Sequence, residues 1–193
     1  MSILVLTSDT LIGTAATGNI EYNGQFFGTD SNASRAQMQR ITQGTAVAST
    51  SGTSIDFTGL PAWVKRLTVM FAGVSTSGTS HILVQLGAGS VTSTGYISTA
   101  QYNAAATVGN TSSTAGYIVW NDVATFTFSG SMKIQTLGSN IWVSDHTFKV
   151  ATNQTGFGGG DITLGGTLDR LRITTVSGTP TFDAGSVNIL IEG

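Results

Sequence analysis

The stretch Arg66-Leu67-Thr68-Val69-Met70-Phe71 alternates, so that Leu67, Val69 and Phe71 share one face. A period of two residues marks a strand with one side against a core. The same alternation recurs at Ile82/Val84/Leu86, Met132/Ile134, Leu171/Ile173 and Val187/Ile189/Ile191. Phe126 and Phe128 share a face opposite Thr125, Thr127 and Ser129. Thr, Val, Ile and Phe dominate these runs, and Pro is confined to Pro61 and Pro180, which favours strands. Between the runs lie stretches rich in Gly, Ser and Thr that read as loops: 73–80, 87–95, 109–116 and 156–160. About eight short strands separated by turn signals predict an all-β chain. The expected architecture is a β-sandwich, jelly-roll-like, over residues 55–193.

The chain has 193 residues, enough for one ordinary domain with an arm. Only 9% are charged, where about a quarter is usual. Thr (31), Ser (21) and Gly (25) dominate instead, and no Asp, Glu, Lys or Arg occurs between Leu67 and Asn121, a span of 55 residues. A net charge of -2 with 40% hydrophobic residues argues against disorder and against nucleic-acid binding. The charge-free span is broken throughout by Ser, Thr and Gly, so it does not read as a transmembrane helix, and membrane insertion is not expected. The opening Met1-Ser2-Ile3-Leu4-Val5-Leu6 has no basic flank and does not read as a signal peptide. With no Cys, neither a disulfide framework nor a thiolate metal site is expected. Burying an unpaired charge at a subunit seam is costly, so the charge-free span suits either an oligomer seam or a neutral, hydroxyl-rich tip.

Outward from the sandwich, Ile20-Glu21-Tyr22-Asn23-Gly24-Gln25-Phe26-Phe27 sets Asn-Gly between two short runs, a strong hairpin signal. A two-residue turn there puts Ile20 opposite Phe27 and Glu21 opposite Phe26. The polar stretch 30–43 reads as a short helix. Residues 1–45 thus form an arm and 46–54 a Ser/Thr/Gly linker. A lone hairpin is marginal, so the arm is expected to dock on a partner through Ile20, Glu21, Tyr22, Phe26, Phe27 and Arg35.

Few residues point to chemistry, and no catalytic, metal or cofactor residue is assigned. Asp145 and His146 are the one adjacent acid–histidine pair, and on a strand they face opposite ways. Gly158-Gly159-Gly160-Asp161 has the glycines of a phosphate loop but no Lys, and reads as a loop between strands. Asp161 and Asp169 lack the dense spacing of a Ca²⁺ site. Arg170 and Arg172 share a strand face beside Asp169, as a solvated face or an inter-subunit ion pair. Tyr96, Tyr102, Tyr117, Trp120 and Trp142 lie in or beside the loop-rich half. They are candidates for contact with a host-surface glycan, although filling the sandwich or an interface is the plainer role.

Two stretches carry a resemblance. They are Gly59-Leu60-Pro61-Ala62-Trp63-Val64-Lys65-Arg66-Leu67-Thr68-Val69-Met70-Phe71 with Gly73-Val74-Ser75-Thr76, and Leu168-Asp169-Arg170-Leu171-Arg172-Ile173-Thr174-Thr175 with Thr181-Phe182-Asp183-Ala184-Gly185-Ser186-Val187-Asn188-Ile189. Both resemble a module of tailed-bacteriophage and prophage structural proteins. Gly18-Asn19-Ile20-Glu21-Tyr22-Asn23-Gly24 resembles a segment near the start of phage fibre-like proteins. The resemblance covers roughly residues 55–72 and 168–191 and carries no catalytic set. It implies a non-enzymatic virion protein, a homotrimeric exterior fibre or knob with a tail-fibre-like, host-contacting role. Its arm would bind other virion proteins, and assembly would occur in the bacterial cytoplasm. A capsid decoration (cement) protein of the head shell is the alternative, kept open by the lack of a long shaft before the knob. A carbohydrate-binding module is the further one.

Overall fold

A computed structural model describes residues 20–22, 26–30, 32, 34–104 and 107–193. The chain forms two compact units, which divide between Arg40 and Ile41. Every regular element among the described residues is a β-strand.

The first unit is a small antiparallel sheet of β1 (Ile20–Tyr22), β2 (Phe26–Thr29) and β3 (Arg35–Gln37). The observed register differs from the expected one. Ile20 stands opposite Gly28, Glu21 opposite Phe27 and Tyr22 opposite Phe26. The connection therefore spans residues 23–25, one more than a two-residue turn; the Asn23-Gly24 pair lies outside the described residues. The shift brings the rings of Tyr22 and Phe26 to 5.1 Å between centroids, where the tighter turn would set Glu21 against Phe26. The helix expected over 30–43 is absent; β3 and part of the next unit occupy it. Asp30 decides this locally. Its Oδ1 accepts the backbone N–H groups of Asn32 (2.8 Å) and Ser34 (2.9 Å), closing a turn instead of starting a helix.

The second unit holds β4 (Ile41–Gln43), β5 (Val47–Ala48), β6 (Ile55–Thr58), β7 (Arg66–Thr76), β8 (Ile82–Ala88) and β9 (Ser90–Val91). It continues with β10 (Ile97–Ala104), β11 (Thr107–Ser113), β12 (Tyr117–Val119), β13 (Phe128–Gly138), β14 (Ile141–Val150) and β15 (Gln154–Thr163). It ends with β16 (Arg170–Thr175) and β17 (Phe182–Glu192). A nine-stranded sheet runs β11-β10-β15-β14-β13-β7-β17-β4, with β5 also on β17. A five-stranded sheet runs β12-β8-β16-β6, with β9 on β8. The fold is an all-β sandwich. The antiparallel pairs β7–β17, β8–β16, β10–β15 and β13–β14 nest one inside the next, as in a jelly roll. The meander β13-β14-β15 stays in one sheet, which makes the two layers unequal.

The alternation of β7 is what the core is built on. Leu67 stands between Ile134 and Ile191, Val69 between Met132 and Ile189, and Phe71 beside Val187. The facing sheet answers with rows Phe57–Leu171–Leu86 and Ile55–Ile173–Val84–Tyr117. All of these side chains are buried in one cluster. Cross-strand rows of β-branched and aromatic residues are the unit of sheet stability. Phe71 and Phe148 meet at 4.9 Å between ring centroids, although β13 separates their strands. They meet because Gly130 stands between them.

Several stretches expected as loops are strands. Residues 73–76 complete β7, 109–113 belong to β11, and 156–160 lie inside β15. Phe126, expected to share a strand face with Phe128, lies in a turn before β13 and is half-buried. Part of the expected arm and linker pairs along β17: Ile41–Gln43 through β4 and Val47–Ala48 through β5. Ser49 is fully buried there, its hydroxyl donating to the Ala184 carbonyl at 2.7 Å.

The glycines of β15 have a steric cause. A Cβ on Gly158 would lie 2.4 Å from the Thr99 carbonyl oxygen and 2.6 Å from the His146 ring. Only glycine admits that approach of neighbouring backbone. With it, the β10–β11 ribbon turns toward the five-stranded sheet, and Ala100 packs with Leu83 and Ile118 in a second small cluster. Gly158→Ala should lower stability by about 1–3 kcal/mol. Gly165→Ala, with open space around its Cβ, should change it by less than roughly 0.5 kcal/mol. Thermal melts of the two variants check this contrast; equal melting points would contradict it.

Candidate functional site

The small sheet has two unlike faces. Ile20, Tyr22, Phe26, Gly28 and Ala36 share one, by register, and the Met38 side chain lies 3.7 Å from where a Gly28 Cβ would be. Ile20 is 66% exposed, Phe26 46% and Met38 45%. The opposite face carries Glu21, Phe27, Thr29 and Gln37, with Glu21 buried. So the structure brings Ile20, Tyr22 and Phe26 together but turns Glu21 and Phe27 away from them. Arg35 stands at the register position opposite Thr29. Met38 and Ala36 complete the apolar face, and sequence reading missed both because it expected a helix there.

The five aromatic candidates separate by burial. Tyr96, Tyr117 and Trp142 are core residues, not surface contacts. The Leu86 N–H donates to the Tyr96 oxygen at 2.6 Å, and the Tyr117 hydroxyl donates to the Trp142 carbonyl at 2.8 Å. Burial raises both phenols, that of Tyr96 to about 12. Their alternation carries them to the interior face, which rules out glycan contact. Tyr102 and Trp120 are half-buried and pack together, with ring centroids 4.8 Å apart, and His81 meets Trp120 at 4.9 Å. That packing ties β10 to the residues flanking β8 and β12.

The two histidines sit in different surroundings. His81 Nδ1 accepts the Asn121 N–H at 3.0 Å, and burial lowers its pKa. His146 lies on the inner face opposite Met132 and Gly158, next to the Phe148 ring, while Asp145 points outward opposite Lys133 and Gly159. The Asp169 carboxylate accepts from Arg170 Nε at 2.8 Å and from the Gly89 N–H at 3.0 Å, and the Arg170 guanidinium lowers its pKa. Arg172 grips Asp56 across β16–β6 with Nε at 2.7 Å from Oδ1. Both arginines are thus paired within the chain. Among the described residues no cluster of three or more metal-ligating side chains forms, and no helix is long and apolar enough to cross a membrane.

The outer face of β10, β11 and β15 forms an open trough of about 780 Å³. Its rows are Ser112–Thr99–Gly159 and Asn110–Gln101–Phe157. Phe157 is 44% exposed. It lies in the Gly156–Gly160 run read as a loop, so sequence reading passed over it. A single large apolar residue at an outward position, with polar Thr155 and Asp161 two and four residues away on the same face, was the available signal. Ile97 and Val108, both exposed, flank the trough on this sheet edge.

No family model, no curated protein and no solved structure matches the chain.

His146 gives the protein a pH dependence of definite sign. Burial lowers its pKa from 6.5 to about 4. The unfolded chain therefore takes up a proton that the folded chain refuses. Stability from this group is complete above pH ~6.5 and falls as pH drops toward 4, by roughly 3 kcal/mol in all. Denaturant unfolding at pH 7.5 and pH 4 should show this loss in the wild type. The loss should shrink in His146→Phe, and an unchanged difference in that variant would contradict the assignment.

Proposed function

We propose that the chain is a non-enzymatic structural protein of a tailed-phage virion, a homotrimeric exterior knob of tail-fibre-like, host-contacting role. The observation that carries the proposal is the apolar face of the three-stranded unit. A sheet of this size cannot build a core of its own, yet Ile20, Phe26 and Met38 stand exposed on one side. Contiguous exposed apolar residues mark a protein–protein contact, here with other virion proteins. The resemblance of Gly18–Gly24 and of the two sandwich stretches to phage structural proteins names the kind of partner. Structural hydrogen bonds at His81 and at the Asp169 and Asp56 carboxylates support a non-enzymatic reading.

The sandwich suits the exterior position. Its outward surface at β10 and β11 is uncharged, with amide and hydroxyl side chains between the exposed Ile97 and Val108, and β11 has a strand on one side only among the described residues. In a threefold assembly each copy meets the next through unlike surfaces, so such an edge joins copies without matching like charge to like charge.

In virions carrying Ile20→Asp with Phe26→Asp, incorporation should fall by at least roughly tenfold while the sandwich melts as in the wild type. Quantitative mass spectrometry of purified particles reads occupancy, and normal occupancy would overturn the docking role. Immunogold labelling of particles should place the wild type on the tail. Label on capsid threefold axes would establish the head-shell alternative, and absence from particles would sink the virion reading. Sedimentation of the free protein should give about three times the 19.9 kDa chain mass.

A further inference from the structure

We infer that the trough on β10, β11 and β15 is a binding site for a neutral carbohydrate. This gives the host-contacting role above a chemistry, and it rests on that reading only for its biological setting.

The floor is β10, with Thr99 and Gln101 pointing outward. One wall is β11, with Asn110 and Ser112; the other is β15, with Phe157 and Gly159. A volume of about 780 Å³ lies within the range of small-molecule sites and fits a short oligosaccharide. The lining carries no charged side chain. Gln101 and Asn110 each offer an amide donor and a carbonyl acceptor, and Thr99 and Ser112 each offer a hydroxyl that does both. A sugar hydroxyl is likewise donor and acceptor, so these four side chains match a polyhydroxylated ligand better than an ion.

Phe157 supplies the second half of the recognition. Its ring stands exposed in an otherwise polar row. Aromatic faces carry negative charge density and attract positive edges, which the axial C–H groups of a pyranose present. Gly159, on the same face two residues further along β15, holds open the space beside the ring. A Cβ there would lie 2.8 Å from the Ser144 carbonyl oxygen, so the gap is built into the strand.

The surroundings add no net charge. Asp145 stands directly opposite Gly159, and Asp161 directly opposite Ile97, on this face. Lys133 stands opposite Asp145, and Lys149 donates to the Thr127 hydroxyl at 3.2 Å. Two cations and two carboxylates balance, so the uncharged lining decides the ligand's charge, and it offers an acidic sugar no cationic partner.

The test is a printed array of neutral glucans, mannans and galactans with sialylated and sulfated glycans beside them, probed with the full-length protein. Binding to at least one neutral class is expected, with little dependence on salt. For that glycan, Phe157→Ala should weaken affinity roughly tenfold and Phe157→Tyr should retain it. Amide chemical-shift changes on titration should gather on β10, β11 and β15. Gln101→Ala provides a second variant at a polar position should Phe157→Ala disturb folding, and it too should weaken binding. No neutral binding, a preference for acidic glycans, or binding indifferent to both Phe157→Ala and Gln101→Ala would overturn the inference. Particle location decides the virion reading separately, because the array needs no particle and the labelling needs no glycan.

Discussion

Strand β7 is the constraint on which the sandwich depends. It lies between β13 and β17 in the larger sheet, and its inward residues meet the buried rows of the smaller one. A charge on that face would lose its hydration with no partner within reach, a cost of several kcal/mol. The facing strand β8 is more confined still. Every residue from Ile82 to Gly87 is buried, on both faces; at Leu83 the outer side is covered by Ala100 of β10, which also packs on Ile118 of the adjoining β12. Gln85 is tolerated there because its amide donates to the Ala115 carbonyl at 2.8 Å. Charge reappears where these strands reach the surface. Arg66 opens β7 and binds Glu192 of β17, its Nε donating to Oε2 at 2.6 Å, in register across the pair.

Glycine shapes the other half of the molecule. In β15 it recurs at 156, 158, 159 and 160, and neighbouring backbone approaches at 158, 159 and 160 closer than a side chain allows. The outcome is a strand that takes the place of a loop, and a β10–β11 ribbon drawn over β12. That cover has a polar counterpart: the Ile118 N–H donates to the Ser98 hydroxyl at 3.0 Å. An outward amide of an edge strand is thereby satisfied, which is how sheets protect their edges. The same glycines leave Phe157 standing without side chains at its immediate neighbours. Packing on the inner face and exposure on the outer one are two results of a single sequence run.

The alternating segments of the sandwich were legible before any coordinates, because period-two hydrophobicity is a local signal. Leu67, Val69 and Phe71, Ile82, Val84 and Leu86, and Val187, Ile189 and Ile191 all occupy the core where their spacing places them. The Gly/Ser/Thr strands were not legible. Their composition is that of loops, and what makes β11 and β15 strands is the approach of β10 between them, a long-range fact. The arm failed in register for a related reason. Asn23-Gly24 favours a two-residue turn, but the pairing of Tyr22 with Phe26 gathers five apolar or small side chains on one face. Side-chain contact outweighed turn preference. Of the aromatic candidates, Tyr96, Tyr117 and Trp142 were misplaced because a ring in a hydroxyl-rich segment reads as surface. Hydrogen bonds between the phenols of Tyr96 and Tyr117 and buried backbone, invisible in sequence, hold those two inside, and Trp142 follows the inward alternation of β14.

The charge-free span from Leu67 to Asn121 now divides into two parts with different causes. Strands β8 and β12 and the inward face of β7 lack charge because they are the interior of their own sandwich. Strands β10 and β11 are another matter. Their outward residues are exposed, where a charge would cost little, and solvent-facing edges ordinarily carry Lys or another charged guard. Burial cannot explain neutrality at Thr99, Asn103, Asn110 and Ser112, which face outward. That neutral surface is what the proposed contact between copies at the β11 edge and the inferred ligand site on β10 and β15 both rest on.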